Sequence, residues 1–552
     1  MSHPSTPAVT AEPKIPATKA LATKDAFDRL TFLGWRGGLV AIVAALAASF
    51  FLYGYALIYW RNADMDFMVI YNALVMNDGK PQLFFDHTAY ITILSVRAWF
   101  ALLHHLGLLD AWSLSSLPPA SDPGAFDAAM TSAVRAGRIL VWLIATGCVL
   151  AFAALIRRIV RDWRVALIAT LAFALSGAIA VHLRILRSEF VAACPVIFAL
   201  MILIVAGRRA GIARPLAMAV AAALCVLGLE NKVQAILLIG ALPLLVLPFG
   251  GAGSASVAFW RDPRSSWPAA ILAVPVALAA AWAAWPLITT GFDRTLLDAA
   301  LFHPLVLGRF GIYQVALLGL IGGCVIAYAL IWRVSAAETL ASLAALAAGT
   351  SLALLALNLD YNTGNVIAVF NPLEKMLTFA DAGTANAANG ANPSGILWLL
   401  LDGLASVFAR YTFVLHSSPR PTVFLTWLIA PGIVYAWSRG EKQTAIQALL
   451  LLLVAIAIDA LGVRRGLKSE YFIFTDPLII LSGAVLLDAL RDLRFHKWAY
   501  PVAMVLFGLH IAIGQAEPIK YAFMRRGPEP ICEWRPHYMP LLALPWCPAA
   551  RS

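Results

Sequence analysis

The chain has 552 residues, of which 61% are hydrophobic and only 13% charged, and its mean hydropathy is +0.80. Soluble globular chains are about half apolar and about a quarter charged, so this composition excludes an ordinary soluble protein and indicates a polytopic membrane protein. The net charge of +11 does not indicate nucleic-acid binding, because most Lys and Arg residues stand in short clusters beside apolar segments. Charges placed in that way are typical of loops that orient membrane helices.

The chain begins with residues 1–36, a stretch rich in Pro, Ala, Thr and Lys that predicts a disordered cytoplasmic tail. Residues 38–60 then form the first apolar run of about 20 residues, the length that crosses the hydrocarbon of a bilayer. Residues 61–136 contain no clean span and predict an outer loop whose helices lie along the membrane surface. The next apolar run, residues 138–156, returns the chain to the cytoplasm.

Further apolar runs bring the predicted number of membrane crossings to thirteen: 165–182, 190–206, 215–229, 233–249, 267–289, 313–332, 339–357, 421–438, 444–463, 473–490 and 498–514. The short loops that this count places in the cytoplasm each hold Arg or Lys, as expected for loops on that side. Residues 396–415 are also apolar. Counting them as a span would turn the basic loops "SRGEK" and "RDLRFHK" outward, so they are left out of the count.

The pattern predicts an all-α polytopic membrane protein with about 13 transmembrane helices and in-plane helices in the first periplasmic loop. The transmembrane domain covers residues 37–514, including the outer loops 61–136 and 358–420. Residues 515–552 form a short periplasmic tail, and its two cysteines, Cys532 and Cys547, are predicted to form a disulfide because they face an oxidising compartment.

Residues able to do chemistry collect on the predicted outer side. Asp64 and Asp66 follow the first span in "WRNADMDFMVIYNAL", residues 60–74, and Asp86 and His87 stand further along the same loop. Two carboxylates before a helix are often only its cap, where their charge suits the helix dipole. Charges at the ends of apolar helices are costly, however, unless they are paired or face a cavity. Taken alone, the two carboxylates favour the cap, whereas a pocket at the outer membrane surface, with charges of both signs, would explain the whole set of charges on this side.

The pattern resembles the GT-C superfamily of membrane glycosyltransferases, which includes protein O-mannosyltransferases, aminoarabinose transferases and oligosaccharyltransferases. Those enzymes carry an acidic motif in the first outer loop, followed by helices along the membrane. Three later fragments are similar to other outer segments of the superfamily. They are "VHLRILRSEFVAACPVIFAL" (181–200), "LGLENKVQAILLIGAL" (227–242) and "RRGLKSEYFIFTDPLIIL" (464–481).

The resemblance implies transfer of a sugar from a polyprenyl-phosphate donor to a cell-envelope acceptor, in the bacterial inner membrane with the active site in the periplasm. The base that deprotonates the acceptor would be Asp64, with Asp66 as second choice. Cations would hold the donor phosphate, and the candidates are Arg187, Lys232, Arg464, Arg465 and Lys468, with Tyr471 beside them. For the arginine pair, interfacial snorkelling is an equal alternative. Supporting residues would be Asp86, His87, Glu189, Glu230 and Glu470.

The sequence leaves the metal requirement open. Asp64, Asp66, Asp86 and His87 could ligate Mg²⁺ or Mn²⁺, but the superfamily contains both metal-dependent and metal-independent members. The implied partners are the lipid donor, the bilayer, and a glycan, lipid or protein acceptor, without nucleic acid. A polysaccharide ligase or polymerase is an alternative because loop 358–420 is long. A transporter or flippase for a lipid-linked sugar is another, although the charges crowd at one surface rather than at helix centres.

Overall fold

The structure is a computed structural model. It describes residues 34–62, 66–80, 82–83, 89–207, 212–250, 260, 262–289, 311–358, 396–412, 420–462, 469–491, 497–523 and 530–547. Regular structure in these residues is helical and includes no strand. Among them, eight helices are long and apolar enough to cross a membrane by length and composition. The protein is therefore an all-α, multi-pass membrane protein, and the full number of thirteen crossings stays a prediction.

The α-helices of the described residues have these bounds, in chain order: α1 Gly34–Tyr53, α2 Met68–Asn77, α3 Tyr90–His105, α4 Pro123–Ile159, α5 Trp163–Ala174, α6 Gly177–His182, α7 Ser188–Gly207, α8 Ala213–Asn231, α9 Ala235–Val246, α10 Pro263–Thr289, α11 Gly311–Ile331, α12 Ala336–Asn358, α13 Ile396–Thr412, α14 Val423–Ser438, α15 Lys442–Gly462, α16 Asp476–Leu490, α17 Ala499–Phe523 and α18 Pro530–Tyr538. Short 3-10 turns cover Tyr59–Asn62, Leu247–Phe249 and Ser469–Phe474.

The ends of two predicted spans are corrected by the structure. Helix α1 stops at Tyr53 rather than at residue 60, because the chain turns at Gly54, where a Cβ would lie 3.0 Å from both Arg184 Cγ and Phe50 O. Helix α4 starts at Pro123 rather than at residue 138, with Asp122 accepting a hydrogen bond from the Ala125 amide. Its 37 residues make it about 55 Å long, well beyond the roughly 30 Å of the hydrocarbon. Part of α4 therefore projects into the predicted first outer loop.

A third predicted span, residues 165–182, is interrupted in the structure. Helix α5 ends at Ala174, and Ser176 starts α6 by accepting a hydrogen bond from the Ile179 amide. A Cβ at Gly177 would lie 2.9 Å from Pro421 Cγ and 3.4 Å from Gly514 Cα. The break thus lets the short helix α6 pack closely against the segment before α14 and against α17.

One end of the molecule is a separate apolar cluster formed by the first loop and the C-terminal tail. It contains buried residues of α2, α3, the first half of α4 and the tail from Ile531 to Leu544. The amide of Leu541 donates to the Tyr71 hydroxyl at 3.1 Å, and a disulfide joins Cys532 to Cys547 as the sequence predicted. We call this end the outer face, after the predicted orientation.

The opposite face gathers the loops that the sequence predicts to be cytoplasmic. Asp488, at the end of α16, accepts hydrogen bonds from the amides of Arg161 and Asp162 at 3.0 and 2.9 Å. The side chain of Gln447, near the start of α15, donates to Pro248 O at 2.9 Å. Loops predicted to share a side of the membrane therefore lie together.

Helix α13 occupies the segment that the sequence count left out as a span. Its Tyr411 hydroxyl donates to Asp459 at 2.8 Å, and its Gly403 lies against the backbone of Ala460 with no room for a side chain. Both contacts fall in the last turn of α15. Helix α13 therefore meets α15 at the outer face, near the site described below.

Candidate active site

Four charged side chains form a chain of ion pairs at the outer face, called here the charge network. Glu189 Oε1 lies 3.0 Å from Lys232 Nζ, and Glu189 Oε2 lies 3.4 Å from Arg187 Nε. Arg187 Nη2 in turn lies 3.4 Å from Glu470 Oε1. Glu189 and Lys232 are buried, and the other two are almost so. Two carboxylates alternate with two cations, which compensates part of the cost of taking them out of water.

The elements that carry the charge network explain its position. Glu189 stands in the first turn of α7, where the helix dipole favours an anion. Lys232 directly follows α8, and its amide donates to Gly228 O at 3.0 Å, so its cation sits where a helix carboxyl end favours it. Glu470 lies in the 3-10 turn before α16. Residues from the three later sequence fragments thus meet at one place.

Asn231 ties helix α3 to this place. Its Nδ2 donates to Ser188 O at 2.6 Å, and its Oδ1 accepts from the amide and the hydroxyl of Thr92 at 3.0 and 3.1 Å. Its own carbonyl accepts from the Ala89 amide at 3.0 Å. The sequence reasoning passed over Asn231, although its position between Glu230 and Lys232 was a signal.

Asp66, the second candidate base, is held in place by another residue that the sequence reasoning passed over. Asp66 Oδ2 accepts from Arg138 Nη2 at 2.6 Å and from Nε at 3.1 Å. Its Oδ1 accepts from the Leu186 amide at 3.2 Å, while Arg138 Nη1 also donates to Leu57 O. Both side chains are buried. The contacts make Asp66 a brace between the first loop, α4 and the segment before α7.

A divalent cation does not fit at Asp66 in this arrangement, because the guanidinium of Arg138 already covers one oxygen and an amide covers the other. Among the described residues, no group of three or more His, Cys, Asp or Glu could hold a metal ion. The remaining metal candidates, Asp64, Asp86 and His87, lie outside the described residues.

The short segment of residues 183–187 is where these contacts converge, and it also carries a buried cation. Arg184 is 1% exposed, and none of its three guanidinium nitrogens has a hydrogen-bond partner among the residues that the structure describes. Its guanidinium lies 6.0 Å from the centre of the Tyr53 ring. Burial lowers the pKa of Arg184 to about 10, against an opposing effect of Tyr53, so the side chain is still a cation at neutral pH. An anion is the partner that such a group lacks.

Other predicted residues are placed as follows. Tyr471 is half-buried in the 3-10 turn beside Glu470. Glu230 is buried at the end of α8, where it lines a cavity. Arg464, Arg465 and Lys468 lie outside the described residues, and their part in a phosphate clamp stays a prediction.

A second buried polar cluster lies near α13 and was not predicted. Arg420 pairs with Asp459 and with Asp476, the latter at 2.7 Å, and it donates to Thr422 and Thr475 at 2.6 and 2.7 Å. All five side chains are buried. Hydrogen bonds and ion pairs link these side chains, so the cluster fixes the starts of α14 and α16 against the end of α15.

Comparison with known proteins gives one structural similarity. The chain is similar to the archaeal oligosaccharyltransferase AglB from Archaeoglobus fulgidus, solved in complex with an inhibitory peptide and a dolichol-phosphate, with 11% sequence identity and a TM-score of 0.40. The similarity covers 88% of this chain and 56% of that one, so the chain spans little more than half of AglB's length. No protein-family model and no curated protein sequence matches the chain.

Proposed function

We propose that the protein is a membrane glycosyltransferase that moves a sugar from a polyprenyl-phosphate donor to a cell-envelope acceptor at the outer face. The observation that carries this proposal is the convergence at residues 183–187. The backbone of this segment holds Asp66 of the acidic motif, Arg187 joins the charge network, and Arg184 is a buried cation with no hydrogen-bond partner in the described part of the chain. An acidic motif beside an unpaired cation is the arrangement that transfer from a phosphate-linked sugar needs.

In the proposed reaction, the acceptor oxygen forms a bond to the anomeric carbon while the bond from that carbon to the donor phosphate breaks. The acceptor proton passes to the base, and polyprenyl phosphate leaves. Asp64 is the proposed base, because Asp66 is already bound by Arg138.

Cations near the segment would stabilise the departing phosphate. Arg184 is the described residue best suited to this, because its guanidinium is buried and can offer a bidentate fork to phosphate oxygens. Arg187 and Lys232 are each held by Glu189, so we propose that they shape the site and add positive charge. Arg464, Arg465 and Lys468 are proposed to complete the clamp.

Mass spectrometry of envelope glycans and lipids, from cells with and without the gene, tests the proposal. We expect one sugar-bearing envelope species to disappear without the gene and the polyprenyl-phosphate sugar to accumulate. Wild-type protein should restore the species, whereas an Arg184→Met variant present at the same level should restore much less. An unchanged set of envelope sugars in cells without the gene would contradict the proposal.

A further inference from the structure

A cavity lies between α8, α9, α11 and α12, on the membrane side of the charge network. Its volume is about 260 Å³, close to the lower end of the roughly 300–1,000 Å³ typical of small-molecule sites. Its walls are mostly apolar, with Met218, Cys225, Val325 and Leu354 among the lining side chains. The lining residues of α8 run from Arg214 to Glu230, which at about 1.5 Å per residue is about 24 Å. A long, narrow apolar space of this kind suits one hydrocarbon chain.

The outer end of the cavity carries a buried carboxyl group. Glu230 lines the cavity and is 4% exposed, and its Oε2 has no hydrogen-bond partner among the residues described by the structure. The two cations nearest along α8 have carboxylates of their own, since Lys232 contacts Glu189 and Arg214 contacts Glu338. A carboxyl group in apolar surroundings without a donor or a cation is strongly unfavourable. Its position in the cavity therefore indicates a ligand that supplies a hydrogen-bond donor or a cation.

The carboxyl group also selects among lipids. The hydrocarbon tail of the polyprenyl donor offers no hydrogen-bond donor to Glu230, and its ionised phosphate offers only acceptor oxygens. A lipid whose polar end is a hydroxyl or an ammonium group satisfies Glu230 and fills the apolar space. Such a polar end would lie next to Asn231 and Lys232, and so beside the charge network.

We propose that this cavity binds the acceptor, and that the acceptor is a lipid with a hydroxyl or amino group at its polar end, hydrogen-bonded to Glu230. The inference rests on the proposed function, because it assigns the acceptor class of the same site. The lipid oxygen or nitrogen would be the atom that receives the sugar. Glu230 binds the acceptor before the reaction. The acceptor then exchanges this hydrogen bond for one to the base at the acidic motif, which takes the proton as the bond to the sugar forms.

Photo-crosslinking of the full-length purified protein tests this assignment. The probes are dodecyl chains that carry a diazirine and end in a hydroxyl, an amine or a phosphate. Adducts are mapped by mass spectrometry to α8, α11 and α12. In wild-type protein we expect the hydroxyl or the amine probe to label these helices about tenfold more than the phosphate probe, the effect of one hydrogen bond to a charged group.

Variants of Glu230 test whether this carboxyl group causes the preference for the hydroxyl or amine probe over the phosphate probe. Glu230→Leu should abolish that preference. Glu230→Gln should keep labelling by the hydroxyl probe, since an amide oxygen still accepts, but should lose labelling by the amine. Thr350→Val is the matched control, because Thr350 lines the same cavity while its hydroxyl donates to Leu346 O of its own helix. Its labelling should equal that of the wild type.

Equal labelling by all three probes, the strongest labelling by the phosphate probe, or an unchanged preference in Glu230→Leu would overturn the assignment. Labelling requires no turnover, so it separates two kinds of failure. Selective labelling without sugar transfer would contradict the proposed function and leave a lipid site. Sugar transfer without selective labelling would contradict only the inference about the acceptor.

Discussion

Arg138 Nη2 lies 2.6 Å from Asp66 Oδ2, and neither side chain is more than 1% exposed. The two residues are 72 positions apart, so this contact fixes the acidic motif of the first loop against the middle of α4. Both Asp66 oxygens are occupied by the guanidinium or by the Leu186 amide. The motif thus divides into one carboxylate that holds the loop and one, Asp64, that we propose for chemistry.

The brace should be visible in stability measurements. Asp66→Leu or Arg138→Met leaves a buried charge without its partner, and each should lower the free energy of unfolding by about 3–5 kcal/mol. The double variant removes both charges and should lose less than the sum of the single variants. Thermal unfolding of purified protein in detergent measures all three. Additive losses would show that the two side chains do not act as a pair.

The two acidic residues of the charge network should contribute unequally to the free energy of unfolding. Glu189 contacts both Lys232 and Arg187, whereas Glu470 contacts Arg187 at 3.4 Å and is 10% accessible. Glu189→Gln should therefore destabilise the protein by about 3 kcal/mol or more, and Glu470→Gln, its matched control, by clearly less. Unfolding in detergent compares the two variants. The reverse order would contradict the central position of Glu189.

The fold was largely predictable because apolar length and flanking charge determine where membrane helices lie. The ion pairing of Glu189 and Lys232 also had a signal, since charges at the ends of apolar runs are costly unless they are paired or face a cavity. The partner of Asp66 was not, because Arg138 stands near the start of an apolar run, and only the packing of α4 decides what it meets. The break between α5 and α6 had a signal in the Ser176–Gly177 pair, which is typical of turns.

The packing of the C-terminal tail against α2 should depend on the disulfide in the tail. Cys532 and Cys547 are 15 residues apart, and closing a loop of that length contributes about 3 kcal/mol in the chain-entropy model. A non-reducing peptide map should recover the bonded pair. Cys532→Ala should loosen the tail from α2 and raise its hydrogen exchange, whereas Cys324→Ala, at a free cysteine, should not. Two free thiols at Cys532 and Cys547 in the native protein would contradict the pairing.

The orientation of the two faces can be tested by cysteine labelling in intact cells. Lys80 and Glu533 are exposed at the outer face, and Arg161 and Glu441 are exposed at the opposite face. Single cysteines at the first two positions should react with a membrane-impermeant maleimide. The other two should react only after the cells are permeabilised, because basic loops stay in the cytoplasm. Labelling of Glu441→Cys from outside would overturn the orientation.

Sugar transfer by the purified protein, with Asp64→Asn as the variant, tests the central claim most directly. Asn keeps most of the hydrogen bonding of a helix cap, so a capping residue would lose at most about 1 kcal/mol of stability and little activity. A base would lose its proton acceptor, and turnover should fall roughly a hundredfold or more. The measurement uses a polyprenyl-phosphate sugar as donor and an envelope lipid extract as acceptor, with donor binding and folding checked in parallel.

The account predicts that wild-type protein transfers the sugar and that folded Asp64→Asn protein binds the donor but hardly transfers it. Wild-type transfer rates in the Asp64→Asn variant would contradict the assignment of the base. Absence of transfer by the folded wild-type protein, with donor and acceptor both present, would contradict the account as a whole.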